Sequence, residues 1–236
     1  MKRFSGLGAS GLLAMGAVLL TLTPLVAATG AGGEVALAGN VTPALGSPPP
    51  GKVAVGAAGA AVDGRVAAIV QNETSAPVHN LRVSGTATRA DGGAVTTATT
   101  GTVVPSTIGS GAYGLLVLDF RKQGVAPGAA VHFRVKSTRA PSSTDPRLLA
   151  VGGFQLSAPL TGPVAQRLDV SVTNPGTRAV RGPLRITVMC FDEAAKPVTV
   201  ASTRVRRAKL AAGKSVHASV PLTSLCPTYQ VGAQAA

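Results

Sequence analysis

The stretch 168–200, LDVSVTNPGTRAVRGPLRITVMCFDEAAKPVTV, leaves the chain little choice of fold. Leu168, Val170 and Val172 alternate with Asp169, Ser171 and Thr173. Successive side chains of a strand point to opposite faces, so this alternation sets one apolar face on a core and one polar face in solvent. Asn174-Pro175-Gly176 then breaks the run. Proline fixes φ, glycine accepts positive φ and asparagine tolerates the left-handed region, which together make a turn. Leu184, Ile186, Val188 and Cys190 alternate with Arg185, Thr187, Met189 and Phe191. Residues 192–197 predict a hairpin loop, and Val198 and Val200 begin the return strand. After a turn at 211–214, Val216, Ala218 and Val220 form another alternating run.

A degenerate copy lies about a hundred residues upstream. Val66, Ala68 and Val70 alternate up to Asn72, which matches Asn174; Val78 matches Val180, and Gly111 matches Gly213. Asp91-Gly92-Gly93 is a hairpin signal in the place of Ala194-Ala195-Lys196. The period is too long for a solenoid unit, and each copy holds short runs at the spacing of a β-sandwich. The pattern therefore predicts an all-β chain with two tandem sandwich domains, 53–139 and 147–236, joined by a linker at 140–146. Leu115-Leu116-Val117-Leu118 is continuously apolar and predicts a strand buried on both faces. Val131, Phe133 and Val135, alternating with His132, Arg134 and Lys136, read as the last strand of the first domain.

Residues 1–28 have the pattern of a secretory signal: Lys2 and Arg3, an apolar run at 12–22, Pro24, then small residues at Val26-Ala27-Ala28. Ala36-Leu37-Ala38 offers a second cleavage position. The alternative is an uncleaved membrane anchor, and a membrane role rests on that alternative alone. Residues 29–52, with Ser47-Pro48-Pro49-Pro50-Gly51, read as a semi-rigid linker. The expected location is secreted or extracytoplasmic, associated with the cell envelope. In such a compartment Cys190 and Cys226, the only cysteines, are expected to form a disulfide that pins the C-terminal strand. Two buried thiols or a two-cysteine metal site are the alternatives, and the latter lacks further ligands at a suitable spacing.

The formal net charge is +13. Arg204, Arg206, Arg207 and Lys209 lie close together, with Arg178, Arg181 and Arg185 on or near a neighbouring strand. Two readings stand for this cluster. It is either a patch for an anionic envelope polymer or lipid head groups, or a solvated face whose charges keep strand edges from aggregating. Nucleic acid is not expected, because no stacking aromatics are interleaved with the cations.

No catalytic constellation, metal site or cofactor is expected. Asp169 and His217 could be joined on paper to a serine, but the chain has no nucleophile-elbow motif. His132 reads as a polar-face residue and His79 as bordering a turn. Asp192-Glu193, the only adjacent acidic pair, lies in a hairpin loop and has too few oxygen partners for calcium. With no Trp and only Tyr113 and Tyr229, stacking on sugars is disfavoured. Asn72-Glu73-Thr74 and Asn40-Val41-Thr42 match a glycosylation sequon and read as chance matches in a bacterial-looking chain.

Asn174, Phe191, Asp192 and Val198 fill the positions of an Asn-containing turn, an aromatic-Asp hairpin and a valine return. In this the chain resembles the FxLYD-type domain, an immunoglobulin-like module of bacterial envelope and secreted proteins. Asn72, Asp91, Gly92 and Val95 match in the first copy, where Thr88 replaces the aromatic. The resemblance implies an immunoglobulin-like fold for both domains and carries over no catalytic residue. The expected function is non-enzymatic, as a structural, adhesion or protein-interaction module, with electrostatic binding of an anionic envelope polymer as the alternative.

Overall fold

The computed structural model describes residues 37–89, 91–92, 95–96, 102–139, 149–158, 163–206 and 209–235. The expected signal segment, the expected linker at 140–146, Gly93 and Arg207 lie outside the described residues. Among those described, all regular structure is β, and every strand pairing is antiparallel.

The alternating runs become facing sheets. In the N-terminal half, β2 (Val53–Ala58), β3 (Arg65–Asn72), β6 (Thr102–Val104) and β7 (Tyr113–Asp119) form a sheet in the order β2-β3-β7-β6. It faces a second sheet, β5-β4-β8, of β4 (Val78–Thr88), β5 (Val95–Thr96) and β8 (Val131–Arg139). Val66, Ala68 and Val70 meet Leu116, Leu118 and Val83 in the core between them. In the C-terminal half, β9 (Ala150–Ser157), β10 (Gln166–Thr173) and β15 (Ser215–Leu222) form the sheet β15-β10-β9. Opposite lie β12 (Leu184–Phe191), β13 (Pro197–Val205) and β16 (Thr228–Ala235). Leu168, Val170 and Val172 pack there on Ile186, Val188 and Val231. A two-residue ladder of β11 (Val180–Arg181) and β14 (Lys209–Leu210) closes one end.

A third core joins the halves. Ala67, Ile69 and Leu115 pack against Met189, Phe191 and Val200. The two middle sheets are thus apolar on both faces, and the molecule is a stack of four layers. Leu115 turns to the shared core while Leu116 and Leu118 turn to the N-terminal one, as the continuous apolar run predicts. Met189 and Phe191 occupy the positions that strict alternation gives to a solvated face, yet they are 0% and 4% exposed. The neighbouring half, rather than water, covers that face.

The segment 29–52 is not wholly a linker. Leu37–Gly39 forms strand β1, which pairs with β16 and completes the sheet β1-β16-β12-β13. Leu37 and Ala38 are buried, so the second cleavage position falls inside a strand. Beyond β1 the chain is strapped down. Asn40 Nδ2 donates to Pro227 O (2.7 Å), Tyr229 N donates to Asn40 Oδ1 (2.8 Å), and Ala44 N donates to Ala195 O (3.0 Å). The physical reason is that β16 otherwise presents unpaired peptide groups beside an apolar core, and Leu37-Ala38 supplies both needs.

The repeat is structural as well as sequential. Asn72 N donates to Ala112 O (2.9 Å) and Asn174 N to Lys214 O (3.0 Å); Gly111 N returns a bond to Asn72 O (2.8 Å) and Gly213 N to Asn174 O (2.7 Å). Val78 bridges Ile108 as Val180 pairs with Leu210. Gly111 and Gly213 both adopt positive φ, 68° and 65°.

Cys190 and Cys226 are joined by a disulfide, with Cα atoms 5.4 Å apart. The bond links β12 to the residues just before β16. Closing a sequence separation of 36 stabilises the fold by roughly 3–4 kcal/mol in the chain-entropy account.

Candidate functional site

The basic residues are positioned by a buried asparagine. Asn174 is 2% exposed, and its Nδ2 donates to Arg178 O (2.8 Å) and to Leu210 O (3.1 Å). One side chain thereby fixes both the turn that carries Arg178 and the short strand that carries Lys209. Val180 and Leu210 plug the C-terminal core, and their neighbours Arg181 and Lys209 are exposed. In the β11–β14 register Arg181 stands directly opposite Lys209. In the β12–β13 register Arg185 stands directly opposite Arg204.

Two cross-strand pairs of like charge therefore sit at the end where β11 leads into β12 and β13 leads into β14. Arg178 and Arg204 are exposed. Arg206 is exposed too, one residue beyond the end of β13, so it does not share a strand face with Arg204. Arg207 lies outside the described residues. Among the described residues no ion pair reaches Arg178, Arg181, Arg204, Arg206 or Lys209. The ion pairs of Asp119 with Arg65 and Arg121 belong to the N-terminal half. There the Arg121 guanidinium, hydrogen-bonded to Asp119, holds that carboxyl below its usual range.

The other singled-out residues are not brought into one site. Asp169 and His217 do lie on one face of the β10–β15 ladder, where Asp169 opposes Ser219 and His217 opposes Ser171. Among the described residues no hydrogen bond joins them. Asp192 Oδ1 accepts from Ala194 N (3.0 Å) and Lys196 N (2.9 Å), so it organises its own hairpin. His132 is exposed on β8, and His79 is the second residue of β4, beside a register shift. No group of three or more His, Cys, Asp or Glu residues is placed to hold a metal ion among the described residues. No helix among them is long and apolar enough to cross a membrane. Asn72 is 0% exposed, and its Nδ2 donates to Ala76 O, Ile108 O and Gly109 O, so the folded chain does not present that sequon.

Sequence reasoning missed the row of cations on the outer face of the β4–β8 ladder. Arg82 opposes Lys136, Ser84 opposes Arg134 and Thr86 opposes His132. The signal for it was present in the alternation of 131–136, whose polar positions are all basic. No protein-family model matches the chain, and no curated protein matches it in sequence.

Proposed function

We propose that the protein is an exported, non-enzymatic interaction module of two tandem immunoglobulin-like sandwiches, and that its C-terminal basic corner grips an anionic envelope polymer. The observation that carries this reading is the opposition of Arg181 to Lys209 across a ladder of only two residue pairs. Like charges directly opposite each other destabilise a strand pair. A polyanion lying along the corner relieves that repulsion and releases its own counterions. The disulfide supports an oxidising compartment, and so export. The matching roles of Asn72 and Asn174, and the aromatic-Asp hairpin at Phe191-Asp192, support two immunoglobulin-like copies of the FxLYD type.

The test is co-sedimentation of the purified protein with isolated cell envelopes across a salt series. Retention is expected to fall steeply by moderate salt, since exposed charge interactions are screened there. It is also expected to fall in Arg181→Ser and Lys209→Ser at low salt, while those variants unfold no more easily than the parent. Retention that survives high salt, or is indifferent to both substitutions, would refute the electrostatic reading.

A further inference from the structure

The two halves differ at one corresponding edge. In the C-terminal half β16 carries β1 along its outer side, with Ala38 opposite Val231, and β1 lies between β16 and β9. The counterpart of β16 in the N-terminal half is β8. Leu81 and Val83 align with Leu184 and Ile186, with one residue inserted in the second copy, and Val83 pairs with Val135 as Ile186 pairs with Ala233. That alignment sets Phe133 in the place of Val231, the residue β1 covers. Yet among the described residues β8 pairs only with β4, and it ends its sheet. Between β8 and β2, the counterpart of β9, runs a groove of about 590 Å³. Its walls include Val53, Val55, Val131, Phe133 and Val135. These five are half-buried and pack on the N-terminal core. The groove lies where the other half holds a strand.

We infer that this groove is a strand-accepting slot, and that it takes an extended segment of a partner protein that pairs with the edge of β8 left open among the described residues. An added strand alternates its side chains between the groove and solvent. Its inward residues meet Val55 and Phe133 and must be small and apolar, as Ala38 is where β1 packs on the C-terminal core. Its outward residues lie beside His132, Arg134 and Lys136, all exposed, with Arg82 opposite Lys136 one strand further in. Neither β4 nor β8 contains an acid. Charge complementarity therefore selects acidic residues at the outward positions. The partner's segment is a short run alternating small apolar with acidic residues. The slot is separate from the basic corner and stands or falls independently of it.

The experiment uses the full chain and a labelled eight-residue peptide alternating glutamate with valine or alanine. Fluorescence anisotropy is read against a peptide of the same composition in scrambled order, and backbone amide shifts locate the bound peptide. The alternating peptide is expected to bind at least tenfold more tightly than the scrambled one and to shift the amides of β8. The double variant Arg134→Glu, Lys136→Glu changes only exposed side chains, and it is expected to abolish binding. Arg181→Ser with Lys209→Ser is expected to leave it intact. Equal affinity for the two peptides would reduce the face to unspecific charge attraction and overturn the slot. Binding lost with the basic-corner variant instead, or no binding, would overturn it as well.

Discussion

Asn72 and Asn174 are the residues on which the turn regions hang. Each is buried, each side chain donates to two or more carbonyls of separate segments, and each Oδ1 accepts a backbone N–H two residues on. Buried carbonyls and amides left without partners cost about 1–3 kcal/mol apiece. Asn174→Ala strips the partners from Arg178 O, Leu210 O and Gly176 N at once. It is expected to destabilise the protein by about 3 kcal/mol, on the order of the cost of one to three such groups. Chemical denaturation checks this, and a loss below about 1 kcal/mol would mean that water replaces the amide. The same substitution is expected to loosen the basic corner, because Arg178 and Lys209 take their positions from that amide.

At the scale of elements, long runs were legible, whether alternating or continuously apolar as at 115–118, and short ones were not. β10, β12 and β15 follow from period two because each buries one face in its own half. The Cys190–Cys226 pairing follows from there being two cysteines in a chain with an export pattern. β1 was not legible, since three residues of LAG carry no period and their partner lies at the far end of the chain. Nor was the solvated or buried status of Met189 and Phe191, which the packing of one half on the other decides. The basic cluster was legible as composition, but the register that sets Arg181 against Lys209 is a tertiary fact. The fit of β1 also makes a prediction about Gly232, which pairs with Leu37. A Cβ there would lie 2.6 Å from Leu37 Cδ2 and 2.8 Å from Val104 Cγ1. Gly232→Ala is expected to cost about 1–3 kcal/mol through overpacking. Adding Leu37→Ala is expected to recover part of that cost, measured as coupling in a double-mutant cycle. Strict additivity would mean that β1 does not press on β16.

At the scale of the whole molecule, the shared core determines how the halves respond to pH. Tyr113 packs against that core, and burial pushes its hydroxyl up to about 12 from an ordinary 10.0. A group whose folded pKa is raised contributes stability that is fully present below its unfolded pKa and is lost as pH rises through the folded one. Stability is therefore expected to decline from about pH 10 through about pH 12, and Tyr113→Phe to flatten part of that slope. Tyr229, raised by burial in the C-terminal core, keeps the remainder. Denaturant midpoints across this range check it, and an unaltered slope in Tyr113→Phe would count against a sealed interface between the halves.

The pairing of β1 with β16 also fixes how the molecule bears a load. The strands are antiparallel, with Leu37 opposite Gly232 and Gly39 opposite Gln230. The chain therefore enters β1 and leaves β16 at the same end of their ladder. Tension drawn between those two points does not shear the ladder along its length. It peels the bonds open one after another, beginning at Leu37, so β1 is the part that yields first while the four stacked layers behind it stay shut.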